Sequence, residues 1–247
     1  MTRRGAAQEA AVFVHAIILC GGKGTRLSRL YADRPKALVP IAGRPFIEWQ
    51  LDWLLGSGVC RRVHLAAGHL APALQDWLQA SAYASACTLS AEPAPLGTAG
   101  ALKFAEPFVQ SDPFLAVNGD TLVPNLRVDA LAAAHAAGSR MLTLAVTPIE
   151  NAGRYGTVEF DAQGRLTAFR EKAEHRHGWI NGGVYIAARS LFDRIPPERN
   201  VSLETDVFPA LAAQGLIATF RAEPPLLDMG TPSGIEQMES CLRRQGA

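Results

Sequence analysis

Ile17-Ile18-Leu19-Cys20-Gly21-Gly22-Lys23-Gly24-Thr25-Arg26-Leu27, running on to Arg34-Pro35-Lys36, is the stretch around which the remaining chain is most readily organised. The apolar run Val12 to Leu19, interrupted by one His, has the length and β-branched content of a buried strand. It stops at Gly21-Gly22-Lys23-Gly24, where missing Cβ atoms let backbone N–H groups close on an anionic oxygen. Arg26 follows as a fixed fork for phosphate, and Lys36 adds a mobile point charge. Strand, glycine turn and two cations read as a phosphate site. Two familiar loops fail on spacing: Gly24 is followed by Thr25 where a Walker A loop needs Lys, and Leu27 stands where a dinucleotide fingerprint needs its third glycine. The glycine cluster alone is equally compatible with an ordinary strand-to-helix turn.

The chain has 247 residues, enough for one large α/β domain or two small ones with an ample core. Hydrophobic residues make up 48% and charged residues 19%, a globular balance rather than a disordered one. A formal net charge of +1 argues against a nucleic-acid surface, which carries a basic excess. Cys20, Cys60, Cys87 and Cys241 are widely separated, without C-x-x-C or zinc spacing, and read as reduced thiols. Arg3-Arg4 and the apolar stretch ending at Cys20 mimic a signal peptide, but Glu9 and His15 interrupt it and no small-residue cleavage site precedes Cys20. No run approaches the roughly 18 apolar residues of a membrane span. The expectation is a cytoplasmic protein that meets neither membrane nor nucleic acid; a homo-oligomer is left open.

Residues 1–10 read as a loose leader. Pro45 opens a helix over Phe46 to Leu55 closed by Gly56 or Gly58, with Trp49 and Trp53 one turn apart and read as core packing rather than ligand stacking. Strands follow at Val63–Ala67, Cys87–Ala91, Phe114–Val117 and Met141–Thr147, with helices from Pro72 to about Ala80 and from Val128 to Ala137. This alternation predicts an α/β fold with a mostly parallel sheet flanked by helices, binding ligands beyond its carboxyl edge. The grammar changes near residue 150. Tyr155–Phe160 and Arg165–Phe169 flank a turn at Asp161–Gly164, and Trp179–Ala187 forms a further strand. Helices begin near Ser202 and Pro232, with a strand at Leu216–Arg221 between them. No repeat or linker appears, so a single domain over 1–247 is expected.

Asp120, behind Gly119, and Asp228, before Met229-Gly230, both follow apolar stretches. Each alone reads as a turn cap or a ligand for a hard cation. Two of them fit the sparse carboxylate supply of a magnesium ion otherwise held by phosphates. Glu171-Lys172 alone is an ordinary solvated pair. Six histidines lack metal spacing, and no Ser/His/Asp order suggests a hydrolase.

The order of these segments resembles the sugar-1-phosphate nucleotidyltransferases. Their G-G-x-G-T-R-L-(x)n-P-K signature is matched by Gly21–Leu27 and Pro35-Lys36, their base loop by Glu92-Pro93-Ala94-Pro95-Leu96-Gly97-Thr98-Ala99-Gly100, and their metal aspartates by Asp120 and Asp228. Tyr155-Gly156, Phe169-Arg170-Glu171-Lys172 and Asn181-Gly182-Gly183-Val184-Tyr185 match the sugar-side motifs, with Ala173 where many members have Pro. The resemblance covers Ile17 to Thr231. It implies a Rossmann-like, GT-A-like nucleotidyltransferase fold with an inserted β-rich, sugar-facing subregion at 150–190. It also implies Mg²⁺ on Asp120 and Asp228, and Arg26, Lys36 and Lys172 as the catalytic cations. Leu19, Gly21, Gly22, Gly24, Thr25, Glu92, Gly97 and Thr98 would face the nucleotide, and Gly156, Glu171 and Asn181 the sugar. The C-terminal β-helix of many members is not expected, nor the acyl transfer or allosteric control it brings.

Within the family, Gly43–Glu48, the L-G-T-A-G loop, Ile180–Tyr185 and Ser202–Pro209 look most like the D-glycero-D-manno-heptose 1-phosphate guanylyltransferases. The resemblance therefore implies GTP and a manno-heptose 1-phosphate as substrates, with NDP-sugar and pyrophosphate as products, for surface polysaccharide synthesis. The alternatives are a mannose-1-phosphate guanylyltransferase, a uridylyl- or cytidylyltransferase, and a non-catalytic nucleotide-binding regulatory subunit. A silent subunit would be expected to have lost Arg26, Lys36 or an aspartate, and all are present.

Overall fold

A computed structural model of the chain describes residues 14–22, 31, 34–150, 157–170 and 177–244. In order they form β1 (Val14–Cys20), β2 (Pro40–Ile41), β3 (Arg44–Pro45), α1 (Phe46–Leu55), β4 (Cys60–Ala67), α2 (Ala71–Ala80), β5 (Cys87–Ala91) and α3 (Gly97–Phe104). There follow β6 (Phe114–Asn118), β7 (Thr121–Leu122), α4 (Val128–Ala137), β8 (Leu142–Ile149), β9 (Thr157–Phe160), β10 (Leu166–Arg170) and β11 (Gly178–Ala187). The last elements are α5 (Phe208–Ala213), β12 (Ile217–Arg221), β13 (Leu227–Asp228) and α6 (Pro232–Arg244). Within the described residues the helices and strands expected from the sequence are present, with ends that match or shift by up to three residues; Val12, Tyr155 and Gly156 of the expected strands lie outside the described residues. Near Ser202 the helix begins as a wide π-type turn, Leu203–Val207, before α5, and Ser202 caps it by accepting from the N–H groups of Glu204 and Thr205.

β1 runs parallel between β4 and β6, and β5 continues the parallel block beyond β4. Burial on both faces explains the apolar run that follows His15: Ala16, Ile17 and Ile18 are fully buried. One core joins β1 and β4 to Leu51 and Leu54 of α1, Leu74 of α2 and Leu131 of α4. The opposite face packs under Leu102 of α3 and Phe208 of α5. Trp49 and Trp53 are structural, as expected: their indole N–H groups donate to the carbonyls of Ile41 and Leu126.

The second half is mostly antiparallel, with β12 running parallel to β8, and one register decides the shape of the cleft. β11 pairs Val184–Ala187 with β6 but reaches beyond it, pairing Trp179 and Ile180 with β9. Its N-terminal half therefore projects past the carboxyl end of β6 and carries the β9–β10 hairpin out over that edge. The hairpin turn is set by Asp161, which accepts from the N–H groups of Gln163 and Arg165, with Gly164 at φ 74°. Among the described residues no helix is long and apolar enough to cross a membrane.

Candidate active site

Leu19 is the reference point of the carboxyl edge, pairing with Ala66 of β4 on one side and Asn118 of β6 on the other. Beyond β6 the chain turns at Gly119, whose N–H donates to the Leu19 carbonyl at 3.0 Å. A Cβ there would lie 2.4 Å from that oxygen, so only glycine allows the turn to lie against β1. Asp120 follows directly. Its Oδ2 accepts from Lys36 Nζ at 2.7 Å, and its Oδ1 accepts from the Thr121 hydroxyl at 3.1 Å.

Asp228 arrives beside it through the short β7–β13 ladder, in which Asp228 opposes Thr121 and the Met229 N–H donates to the Asp120 carbonyl. Apolar packing of Leu122, Leu227 and Met229 on Met238 of α6 holds this ladder from behind. Asp228 Oδ1 also accepts from the Gly230 N–H at 2.6 Å. The two aspartates, 108 positions apart in the sequence, are thus brought to adjoining backbone positions, with the Lys36 ammonium paired to Asp120.

On the other side of Leu19 lies a cavity of about 540 Å³ lined by Leu19, Gly21, Gly22, Glu92, Gly97 and Thr98, among others. All six of these were expected at the nucleotide. Glu92 leaves β5 with its N–H on the Ala67 carbonyl, and its Oε2 accepts from the Leu96 N–H at 3.2 Å. Its carboxylate is wedged between two backbones: a Cβ on Gly21 would stand 2.8 Å from Oε1, and one on Gly68 2.4 Å from it. Burial pushes the Glu92 carboxyl above its ordinary pKa, and the Leu96 N–H pulls in the opposite direction. Gly97 adopts φ 72° and lies so close to Val201 that a Cβ would meet its carbonyl at 2.4 Å. The Thr98 hydroxyl is already engaged, accepting from the Leu203 N–H and donating to Glu204 Oε2, each at 2.8 Å. It ties α3 to the turn at 203–207 as well as lining the cavity.

Asn181 stands on the overhanging half of β11. Its Nδ2 donates to the Tyr185 hydroxyl at 2.9 Å, and its Oδ1 accepts from the Gly183 N–H at 2.8 Å. Gly183, at φ 69°, brings the strand against Asn118, whose side chain a Cβ would approach to 3.0 Å. The Tyr185 phenol is buried, and burial raises its pKa far beyond neutrality, so it stays a donor. Each polar atom of the Asn181 amide retains one further lone pair or N–H for a ligand.

Gly24, Thr25, Arg26, Gly156, Glu171 and Lys172 lie outside the described residues. Sequence reasoning passed over Gly68, His69 and Asn200, which also line the cavity. The rule that ligands sit beyond strand carboxyl ends, applied to β4, points to Gly68-His69 directly. Glu204, which the sequence singles out only within Ser202–Pro209, accepts from both Thr98 and Ser202.

Residues 15–244 match the family described as Nucleotidyl transferase. The chain is 32% identical over 231 residues to D-glycero-alpha-D-manno-heptose 1-phosphate guanylyltransferase of Aneurinibacillus thermoaerophilus, covering 93% of this chain and 99% of that one. It is 36% identical over 224 residues to mannose-1-phosphate guanyltransferase of Schizosaccharomyces pombe, spanning 88% of this chain but 61% of that relative. The crystal structure of HddC from Yersinia pseudotuberculosis superposes with a TM-score of 0.82 at 27% identity, over 93% of this chain and all of that one. The complex of HddC with GMP-PN gives 0.81 over the same shares. With the family match running through both aspartates, the cavity and the overhanging strand, the chain belongs to the nucleotidyl transferase family.

Proposed function

We propose that this chain is a guanylyltransferase that joins GTP to D-glycero-α-D-manno-heptose 1-phosphate, releasing pyrophosphate and GDP-heptose for surface polysaccharide. The supporting observation is the conjunction of a base-sized cavity at Glu92 with a carboxylate pair across Leu19, in a chain similar over its length to heptose 1-phosphate guanylyltransferases. Similarity to HddC, whose complex carries GMP-PN, favours the guanine base. The chemistry of Glu92 favours it too. Guanine presents N1–H and N2–H₂ side by side, and a carboxylate is acceptor-only. The mannose 1-phosphate reading stays as the second, carried by a relative of 36% identity of which the chain spans 61%.

In the reaction a sugar phosphate oxygen forms a bond to the α-phosphorus of GTP while the bond from that phosphorus to the β-phosphate bridge oxygen breaks. The attacking phosphate is already ionised, so no general base is needed. Positioning and charge neutralisation then carry the rate. Lys36 neutralises charge beside the reacting phosphates from its place on Asp120. Gly21 and Gly22, with Gly24, Thr25 and Arg26, cradle the departing β,γ-phosphates. Glu92, Gly97 and Thr98 hold the base, with Leu19 beneath. Asn181, Gly156 and Glu171 take the sugar hydroxyls, and Lys172 its phosphate.

The residues present fit a divalent cation. Asp120 Oδ2 already attracts a cation, the Lys36 ammonium, and the Met229 N–H fixes Asp228 alongside. Among the described residues no cluster of three or more His, Cys, Asp or Glu is arranged for a metal. A site of two carboxylates completed by phosphate oxygens suits Mg²⁺ rather than a fully caged ion. When bound, Mg²⁺ would supply charge neutralisation at the α-phosphate and the leaving pyrophosphate.

The protein acts as one domain in the cytoplasm, without nucleic-acid or membrane partners, alone or as a homo-oligomer. Mass spectrometry of products from GTP with heptose 1-phosphate and mannose 1-phosphate in competition tests the sugar. GDP-heptose as the major product supports the reading; GDP-mannose as the major product replaces it with the second.

A further inference from the structure

Gln50 is a polar residue of α1 with no exposure to solvent, and both hydrogens of its side-chain amide are directed at one turn. Nε2 donates to the carbonyls of Asn118 and Thr121, each at 2.8 Å. These two carbonyls bracket Gly119-Asp120. Two further backbone groups of the turn are engaged: the Gly119 N–H on Leu19 and the Asp120 carbonyl under Met229. Gln50 Oε1 is buried without a partner, so this side chain is held by its donors alone. Turning the amide over would set oxygen against two carbonyl oxygens, which leaves one orientation.

We propose that Gln50 is a positioning residue for the cation site, fixing the turn that aims Asp120 and holds it in register with Asp228. The inference rests on the metal reading given above. Without the amide, the Asn118 and Thr121 carbonyls lose its two hydrogen bonds, and the backbone of the turn keeps its contacts to Leu19 and Met229. Asp120 then samples orientations that do not share a cation with Asp228. The effect is on metal affinity, since Gln50 is not among the residues that line the base cavity.

The test titrates Mn²⁺ by electron paramagnetic resonance into full-length protein with GTP present and no sugar phosphate. GTP binding in EDTA is measured separately by calorimetry. Gln50→Met keeps length and removes both donors; it should weaken Mn²⁺ binding about tenfold while metal-free GTP affinity stays within twofold. Gln50→Glu, protonated when buried there, returns one donor and should fall between wild type and Gln50→Met. It also serves alone, at threefold or more weaker than wild type, should Gln50→Met not fold. Leu51→Ala, a cavity in the same helix, should lower Tm but leave Mn²⁺ affinity unchanged. Equal Mn²⁺ affinity in wild type and both Gln50 variants overturns the positioning role and leaves the metal reading standing. So does a loss in Leu51→Ala matching that of Gln50→Met. No Mn²⁺ binding by the wild type overturns both.

Discussion

The cavity beside Glu92 and the aspartate pair beside Lys36 flank the same residue, Leu19, and are built from different materials. The base side relies on missing atoms: Gly21 and Gly68 make room for one carboxylate, and Gly97 packs on Val201. The aspartate side relies on charge, with two aspartates brought together by a two-residue ladder and an ammonium paired to one of them. A site made by omission should respond to added atoms through stability and affinity. A site made by charge should respond to isosteric neutralisation through rate, with the fold unchanged.

The largest expected effect is on the charged side. Asp120→Asn and Asp228→Asn should each lower kcat by about 100-fold, ~2.7 kcal/mol, with circular dichroism and Tm preserved. Retention of more than about a tenth of the wild-type rate, under ~1.4 kcal/mol, removes that aspartate from the metal site.

Glu92→Gln moves the contrast to the base side. It replaces an acceptor with a donor at one position, so kcat/KM for GTP over UTP should fall about tenfold, ~1.4 kcal/mol. It should also change stability with a definite sign. Burial raises the Glu92 carboxyl, so the stability linked to its proton is present below the ordinary Glu range and lost as pH rises through the raised value. The variant lacks that loss, and its Tm advantage over wild type should grow with pH. A constant Tm difference between pH 4 and pH 8 would mean the carboxyl is not strained by burial.

The glycines separate stability from affinity. Gly68→Ala places a methyl 2.4 Å from Glu92 Oε1 and 2.8 Å from the Gly21 carbonyl, and overpacking of that kind costs about 1–3 kcal/mol. Gly22→Ala meets nothing within 4 Å, so its Tm should match wild type while its methyl, in the open cleft, raises KM for GTP. Thermal melts and initial rates on both variants check this; equal melting losses would mean the Gly68 contact relaxes away. The smallest effect belongs outside both regions. Arg170 pairs with Glu159 on the exposed hairpin, and Arg170→Ala should leave kcat and Tm within error.

Much of this was legible in the sequence, for reasons that also explain what was not. β1 and β6 are long apolar runs that stop at glycines, so strand, edge and Asp120 could be read together. The hairpin at Asp161–Gly164 announces itself by its turn residues. The ladder that brings Asp228 to Asp120 could not be read, because two-residue strands such as Thr121–Leu122 have no periodicity. Nor could the overhang of β11, which depends on the register of Val184 against Val117. Gln50 was invisible as well: one glutamine in an apolar helix looks like a surface residue until its two carbonyl partners, 68 and 71 positions away, are known.

The central claim, that this cleft selects guanine and transfers its nucleotide to a sugar phosphate, is tested most directly by one measurement. Pyrophosphate release is followed with Mg²⁺ and D-glycero-α-D-manno-heptose 1-phosphate while GTP, UTP, CTP and ATP are supplied in turn. Release with GTP at a kcat/KM at least about tenfold above every other nucleotide, ~1.4 kcal/mol of discrimination, is the result expected. A preference for UTP would contradict the guanine assignment at Glu92, and no release with any of the four would contradict the transferase reading itself.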